Sequence, residues 1–401
     1  MTKVRYGVIG IKGIGRHHIR SALQSDNVEL AALVDIDAAF VKQRSEELGI
    51  RGFTDYRDML GAGIVDAVSI ATPHHLLAPI GLACLQAGVH IFVEKPFASR
   101  VSEADAMVAA AKAKNLQICV GYQYRTYRSS QAMKCLINTG AIGDILRVLW
   151  TWCRFRPENY YVRDRWRATW QQAGGGVLMS QTSHDLDLLC WMIGKPVQVS
   201  ALIGTQLHNT EIEDIACTSV LFDNGAFGSI QLTTNQPSSY SVRQVVGEKG
   251  IIVIPEVQSL TDDQSDQILL GTYGAALSRQ VTQLRGRSDQ PEIRWQTVKL
   301  PEEHAVLQKL MRPKTLWQRV GLLKTRPHGH AVLMQSFIDA IRNGGDALVS
   351  GESAQLVIEF INAIVLSAIR KKTVELPIDR EEYDQLFEEL SSGKTQVPRF
   401  L

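Results

Sequence analysis

The feature that most constrains this chain is a glycine turn between a short strand and a helix. Val4 to Ile9 is an apolar, β-branched run that ends in Gly10-Ile11-Lys12-Gly13-Ile14-Gly15, and a helical pattern follows from about Ile14 to Gln24. Such a turn aims backbone N–H groups from the start of a helix whose dipole favours an anion, so strand, turn and helix together shape a site for a pyrophosphate. The usual spacing is G-x-G-x-x-G. Gly10 and Gly15 fill its outer positions, whereas Lys12 stands where the middle glycine normally lets backbone approach the phosphates. Gly13 beside it restores freedom, and the Lys12 ammonium would face phosphate or solvent. The next strand, Val28 to Val34, ends at Asp35, about 20 residues on, where an acid accepts hydrogen bonds from ribose hydroxyls and repels a 2′-phosphate. No arginine directly follows Asp35, so the pattern favours NAD over NADP.

The alternation then continues. Asp37 can cap a helix that stops at Gly49, and Val65 to Ala71 reads as a strand broken by Thr72-Pro73. A helix over Pro79 to Ala87 leads to a strand, Val89 to Val93, which delivers Glu94-Lys95-Pro96. An alanine-rich helix over Ser102 to Ala113, with Ser102 and Asp105 shaped like an N-terminal signal, precedes a strand over Ile118 to Tyr122. Strands alternating with helices mean right-handed crossovers and a doubly wound parallel sheet. Ligands bind along the carboxyl edge of such a sheet, which singles out Lys95. Glu94 can orient its ammonium, and Pro96 predicts a cis bond that fixes the turn.

From about Tyr124 the pattern changes. Helices are expected over Ser130 to Thr139 and Gly176 to Ile193, and a strand over Ile145 to Cys153. Hairpin-like strands follow over Val197 to Leu207, Ile215 to Phe222, Ala226 to Thr233, Ser241 to Gly247 and Gly250 to Ile254. Pro255 to Pro327 is polar and less regular, and helices return over Ala331 to Arg342 and Ser353 to Lys371. The expected architecture is therefore an α/β Rossmann domain, residues 1–124, that binds NAD(P), followed over 125–401 by an α+β domain with an open, mainly antiparallel sheet. A length of 401 residues agrees, since it exceeds what one hydrophobic core usually serves.

A second chemical signal runs from Gly174-Gly175-Gly176 to Asp187. Three glycines permit close backbone approach, and on one expected helix Ser180, His184 and Asp187 lie a turn apart on one face. Histidine suits proton transfer near neutrality. The pairs His74-His75 and His328-Gly329-His330 have no third ligand at metal spacing, so no metal is expected. A net charge of +2 gives no case for nucleic acid or an anionic membrane. The six cysteines form no C-x-x-C, and most sit in apolar runs, which fits a reducing compartment. With no signal-peptide pattern and no apolar run of membrane length, the cytoplasm is the expected location. The basic stretch Leu307 to Pro327 reads as a solvated arm, with a membrane-surface helix as the other reading.

These segments together resemble the glucose–fructose oxidoreductase / inositol dehydrogenase (Gfo/Idh/MocA) family. The resemblance rests on Val8-Ile9-Gly10 to Gly15-Arg16-His17-His18, Ala71-Thr72-Pro73, Phe92-Val93-Glu94-Lys95-Pro96, Gly140-Ala141-Ile142-Gly143, the Gly174 to Asp187 stretch and Ser350-Gly351-Glu352-Ser353. It implies NAD contacts from Gly10, Lys12, Gly13, Ile14, Gly15, Asp35, Thr72, Glu94 and Lys95. It implies Lys95 and His184 as catalytic groups, and Arg125, Trp166, Arg167, Gln181 and His184 against substrate. Many members carry an aspartate one turn before the histidine. Ser180 occupies that position here, with Gln181 expected to replace some of its contacts. The implied activity is NAD-dependent hydride transfer at a hydroxyl or carbonyl of a sugar, sugar derivative or cyclitol, by a homo-dimer or homo-tetramer joined through the sheet. Two other readings share the fold: a redox-neutral glycosidase that requires NAD, and a catalytically silent NAD-binding sensor or partner.

Overall fold

Six short strands, β1 (Val4–Ile9), β2 (Val28–Val34), β3 (Arg51–Phe53), β4 (Ala67–Ile70), β5 (His90–Val93) and β6 (Ile118–Val120), form one sheet in the order β3-β2-β1-β4-β5-β6. Every pairing in it is parallel. β1, β4 and β5 are almost wholly buried, which is why they read as mainly apolar runs rather than alternating ones. The order reverses between β1 and β4, and the carboxyl ends of strands at such a switch point form the ligand crevice of doubly wound sheets. Gly10, Thr72 and Lys95 follow β1, β4 and β5 respectively, so the topology brings three separate sequence motifs to one edge.

These are the fold elements of a computed structural model that describes residues 2–237, 241–254, 268–283, 289–300 and 329–400. The basic segment 307–327 and His328 lie outside the described residues. Helices α1 (Gly15–Gln24), α2 (Ala38–Leu48), α3 (Tyr56–Gly61), α4 (His74–Gln86) and α5 (Val101–Ala113) connect the strands. Asp37 caps α2 by accepting from the Phe40 N–H at 3.1 Å, and Gly49 ends it in the left-handed region. α4 begins at His74, ahead of Pro79, which it holds inside its length. At the start of α5 the Glu103 carboxylate accepts the N–H groups of Ser99 and Arg100, and Ser102 lies inside the helix as its second residue.

Chain packing groups the described residues up to Thr126 with Gly329–Ile358 as one compact unit, and those from Tyr127 to 300 with those from Glu359 onward as a second. The first unit thus includes the helix Gly329–Asn343, which a division at 124/125 assigns to the second. Gly329 fits there for a steric reason: a Cβ on it would lie 2.1 Å from Thr126 Oγ1.

The second unit holds a nine-stranded sheet. Its strands are β7 (Ile145–Cys153), β8 (Pro196–Gly204), β9 (Ile215–Phe222), β10 (Phe227–Thr233), β11 (Val242–Gly247), β12 (Gly250–Ile254), β13 (Ile268–Tyr273), β14 (Ile293–Val298) and β15 (Val374–Glu375), in the order β14-β13-β12-β11-β7-β10-β9-β8-β15. All neighbours are antiparallel except β7 and β10. Along β10 the side chains alternate, with Ile230 and Leu232 buried and Phe227 exposed, as a sheet covered on one face requires. The polar stretch after Pro255, read as irregular, contributes β13, β14 and the helix Leu277–Gln283. The helix Gly351–Arg370 is the one described helix long and apolar enough to cross a membrane. It starts two residues earlier and ends one residue earlier than the expected Ser353 to Lys371, and 72% of its most apolar part is buried inside the fold, as in a core helix.

Candidate active site

In the first unit the glycine turn is built by close packing. A Cβ on Gly15 would lie 1.8 Å from the Gly10 carbonyl oxygen, and one on Gly10, whose φ is +83°, would lie 2.6 Å from the Ala71 carbonyl. Gly13 also has positive φ but faces open space. Ile14, partly exposed, leads directly into α1. Asp35 closes the turn from behind: its carboxylate accepts the N–H groups of Ile11 and Asp37, both at 3.1 Å. Lys12 lies on the solvent side of the turn and is ion-paired there. Its Nζ lies 2.6 Å from Asp37 Oδ2 and 5.2 Å from the Phe40 ring centroid, so the ammonium is folded onto the start of α2. The floor of the crevice at β4 presents Thr72, whose Oγ1 is buried with no hydrogen-bond partner among the described residues. A tight glycine turn, a helix N-terminus and an unsatisfied buried hydroxyl on one edge are the features that a dinucleotide fits. Gly15→Ala is expected to destabilise the domain by about 1–3 kcal/mol through overpacking and to weaken NAD binding in a fluorescence titration. Unchanged NAD affinity would show that the turn tolerates the methyl.

Lys95 is half-buried at the end of β5, and the Lys95-Pro96 bond is cis. Glu94 is turned inward. Its Oε1 lies 2.7 Å from His18 Nε2 on α1 and 2.9 Å from His330 Nε2, and its Oε2 accepts the Lys95 N–H at 3.3 Å. His18 Nδ1 lies 2.8 Å from Ser69 Oγ, which is in turn 2.7 Å from the Tyr6 hydroxyl. The ligand atoms of His18, Glu94 and His330 all fall within 4.8 Å of one another in a buried cluster. Burial works to raise the Glu94 carboxyl, but the two rings outweigh it and hold it well below the usual range. Burial pushes the His18 ring down, against the pull of Glu94. The chain Tyr6–Ser69–His18–Glu94–His330 therefore surrounds one buried carboxylate with donors, and that carboxylate braces the turn carrying Lys95. Glu94 thus acts on the backbone at Lys95 through this brace.

Arg125 is buried and donates to Ser353 Oγ at 2.5 Å and to the Leu348 carbonyl at 3.4 Å, which ties the strand edge to the later helix.

In the second unit the expected single helix over Gly176 to Ile193 is broken. Val177–Gln181 forms one wide turn, with the Thr182 N–H bonded to the Val177 carbonyl five residues back at 2.9 Å, and an α-helix then runs over Ser183–Met192. Wide turns of this kind recur at functional sites. Ser180 therefore does not share a regular helix with His184 and Asp187. The cause lies in Glu213, fully buried, whose carboxylate accepts the Gly176 N–H at 2.8 and 2.9 Å and the Leu178 N–H at 3.0 Å. A Cβ on Gly176 would lie 1.8 Å from the Glu213 carbonyl oxygen, which explains the glycine. Ser180 donates to the Gly175 carbonyl at 3.3 Å. The contacts of Gln181 run to Arg156 and Tyr160. Its Oε1 accepts from Arg156 at 2.6 and 3.0 Å, and its Nε2 donates to the Tyr160 hydroxyl at 2.8 Å. Arg167 joins this group by donating to the Tyr160 hydroxyl at 3.2 Å and stacking 4.2 Å from the Trp166 ring centroid. His184, in the first turn of its helix, is buried. The next residue, Asp185, anchors that helix on the sheet through Trp150 at 2.9 Å and Arg243 at 2.6 Å.

The first unit is a dinucleotide-binding domain of the Rossmann type. A model of the "Oxidoreductase family, NAD-binding Rossmann fold" matches residues 4–122, and a model of the "GFO/IDH/MocA C-terminal domain" matches residues 130–253. The chain belongs to the Gfo/Idh/MocA family of oxidoreductases. Similar proteins include the myo-inositol 2-dehydrogenase of Thermotoga maritima, 27% identical over 66% of this chain and 80% of its own. The levoglucosan dehydrogenase of Pseudarthrobacter phenanthrenivorans is 28% identical over 62% of this chain and 70% of its own. Among solved structures, the WlbA dehydrogenase from Bordetella pertussis, in complex with NADH and UDP-GlcNAcA, superposes with a TM-score of 0.74 at 25% identity, covering 94% of this chain and all of that one.

Proposed function

We propose that this protein transfers hydride between NAD and a hydroxyl or carbonyl carbon of a sugar, sugar derivative or cyclitol. The observation that carries the reading is Lys95 at the carboxyl end of β5, on a turn braced by the buried Glu94 and its two histidines. Relatives that oxidise an inositol or levoglucosan support the substrate class. The Gly10–Gly15 turn, Asp35 and Thr72 would hold NAD, which when bound would supply the hydride acceptor. In the oxidation direction His184 takes the hydroxyl proton, and the Lys95 ammonium stabilises the oxygen as it gains negative charge, an electrostatic role that strengthens where water is excluded. The reverse reaction uses the same groups. Ser180 gives His184 no carboxylate one turn earlier, so the imidazole works without that aspartate.

The test is reduced-nicotinamide absorbance on mixing the purified protein with NAD and a panel of sugars, glycosides and cyclitols. A rise at one member of the panel is the expected result. Sugar release from a glycoside without NADH would replace this reading with the redox-neutral hydrolase, and NAD binding with no chemistry on any member would replace it with the sensor.

A further inference from the structure

Residues 154–167, between β7 and the glycine triplet, carry five arginines, Arg154, Arg156, Arg163, Arg165 and Arg167, against two acids, Glu158 and Asp164. Two of the arginines are organised around Tyr160. The guanidinium carbons of Arg156 and Arg167 lie 4.8 and 5.1 Å from the Tyr160 ring centroid. Gln181 ties the arrangement together by accepting from Arg156 and donating to the Tyr160 hydroxyl. Among the described residues the acid partner of Arg167 is Asp164, a 3.4 Å contact with a carboxylate that is about half exposed. Arg156 has none among the described residues. It is partly buried, the acceptor it reaches is the neutral amide oxygen of Gln181, and the nearby charges of Arg154 and Arg167 are of its own sign. Burial pushes its pKa down, yet an arginine stays charged in a protein. A partly desolvated guanidinium needs a counter-charge, and an ionised oxygen acceptor supplies it with short, strong hydrogen bonds. The stem of this cation is already fixed by an amide and a ring, so little ordering remains when a ligand arrives. Gln181 also precedes His184 by less than one helical turn, so the residue that holds Arg156 and the proposed acid/base lie on one short stretch of chain.

We propose that Arg156 and Arg167 form an oxyanion subsite that selects substrates bearing a carboxylate or a phosphate over neutral sugars and cyclitols. The inference rests on the oxidoreductase reading and narrows its substrate class. Carboxylate and phosphate share the chemistry, and the experiment separates them. NAD-linked turnover is measured for glucose, glucuronate and glucose 6-phosphate, and for inositol and its monophosphate, with wild-type protein and the Arg156→Ala and Arg156→Lys variants. Binding of glucuronate and of inorganic phosphate is measured in parallel by thermal shift without NAD. The expected result is a preference for one charged member of about ten- to a hundredfold in kcat/KM over its neutral parent. That preference falls toward unity in Arg156→Ala, is partly kept in Arg156→Lys, and declines with added salt in the wild type, which requires no variant to fold. Whichever charged probe is preferred, carboxylate or phosphate, names the group. Equal turnover of neutral and charged members, or a charge preference unmoved in Arg156→Ala, overturns the subsite and leaves the oxidoreductase reading intact. A thermal shift with glucuronate or phosphate that Arg156→Ala abolishes, with no turnover on any member, keeps the subsite and removes the reaction. No thermal shift with either probe and no turnover overturns both.

Discussion

Lys95→Ala is expected to lower kcat about a hundredfold to a thousandfold while NAD affinity stays close to the wild-type value. The two effects separate because they depend on different parts of the first unit. On the proposed reading dinucleotide affinity comes from the Gly10–Gly15 turn, from the start of α1 and from Asp35, and the substitution leaves the packing of that turn untouched. The turn that carries residue 95 is held by backbone contact to Glu94, and Glu94 is in turn clamped by His18 and His330, so truncating the lysine leaves the scaffold in place. On the proposed mechanism, what disappears is a positive charge beside an oxygen that becomes negative only during the reaction, and such a charge acts on the transition state more than on the ground state. Lys95→Arg is not a conservative rescue, since a planar guanidinium cannot take the place of a compact ammonium. Steady-state kinetics alongside a fluorescence titration with NADH give both readouts. Full turnover in Lys95→Ala would remove this side chain from the mechanism.

How much of this was legible in the sequence follows from how local each feature is. Gly10, Gly15 and Asp35 work within a single strand–turn–helix unit, so spacing alone exposes them. Buried strands such as β1 and β4 are equally plain, whereas Arg51-Gly52-Phe53 forms β3 with no apolar pattern to mark it. The brace at Glu94 joins residues 76 and 236 positions away, and no window along the chain contains it. His18 could have been suspected as a histidine on the buried face of α1, one turn after Gly15, but its partner was invisible. The break before His184 was hidden for another reason. A spacing of four between Ser180 and His184 suits an α-helix, and the wide turn that replaces it is imposed by Glu213 from 37 residues away. Arg156 likewise belongs to an unmarked loop and gains meaning only from Tyr160 and Gln181.

Glu213→Ala is expected to lower stability and turnover together. The carboxylate is the acceptor for the Gly176 and Leu178 N–H groups in a fully buried place, and each donor left unsatisfied costs about 1–3 kcal/mol. The same N–H groups set the wide turn, so their release also frees the stretch that carries Gln181 and His184. A second signature distinguishes this carboxyl from any ordinary buried acceptor. Burial pushes it up to about 7, against the hydrogen bonds from Gly176 and Leu178 that favour the ionised form. The folded chain therefore holds this proton more tightly than the unfolded chain. Its contribution to stability is fully present below the unfolded value of 4.5 and is lost as pH rises through about 7. The loss is on the order of 3 kcal/mol. Its neighbour Asp214 is subject to burial as well, but His208, Asn235 and backbone donors outweigh it and bring it down to about 2, a window far below this one. His208 titrates nearer, yet its contribution is common to the wild type and to any change at residue 213. Glu213→Gln reproduces the protonated carboxyl, with one acceptor oxygen kept and no charge to bury, and so removes the slope while retaining the turn. Urea midpoints at pH 5.5 and pH 8 for wild type, Glu213→Gln and Glu213→Ala measure this directly. The wild-type midpoint falls between the two conditions, the glutamine variant's falls less, and the alanine variant's is low at both. A glutamine variant with the full wild-type slope would place the titrating group elsewhere. An alanine variant as stable as wild type would mean that the wide turn before His184 holds itself.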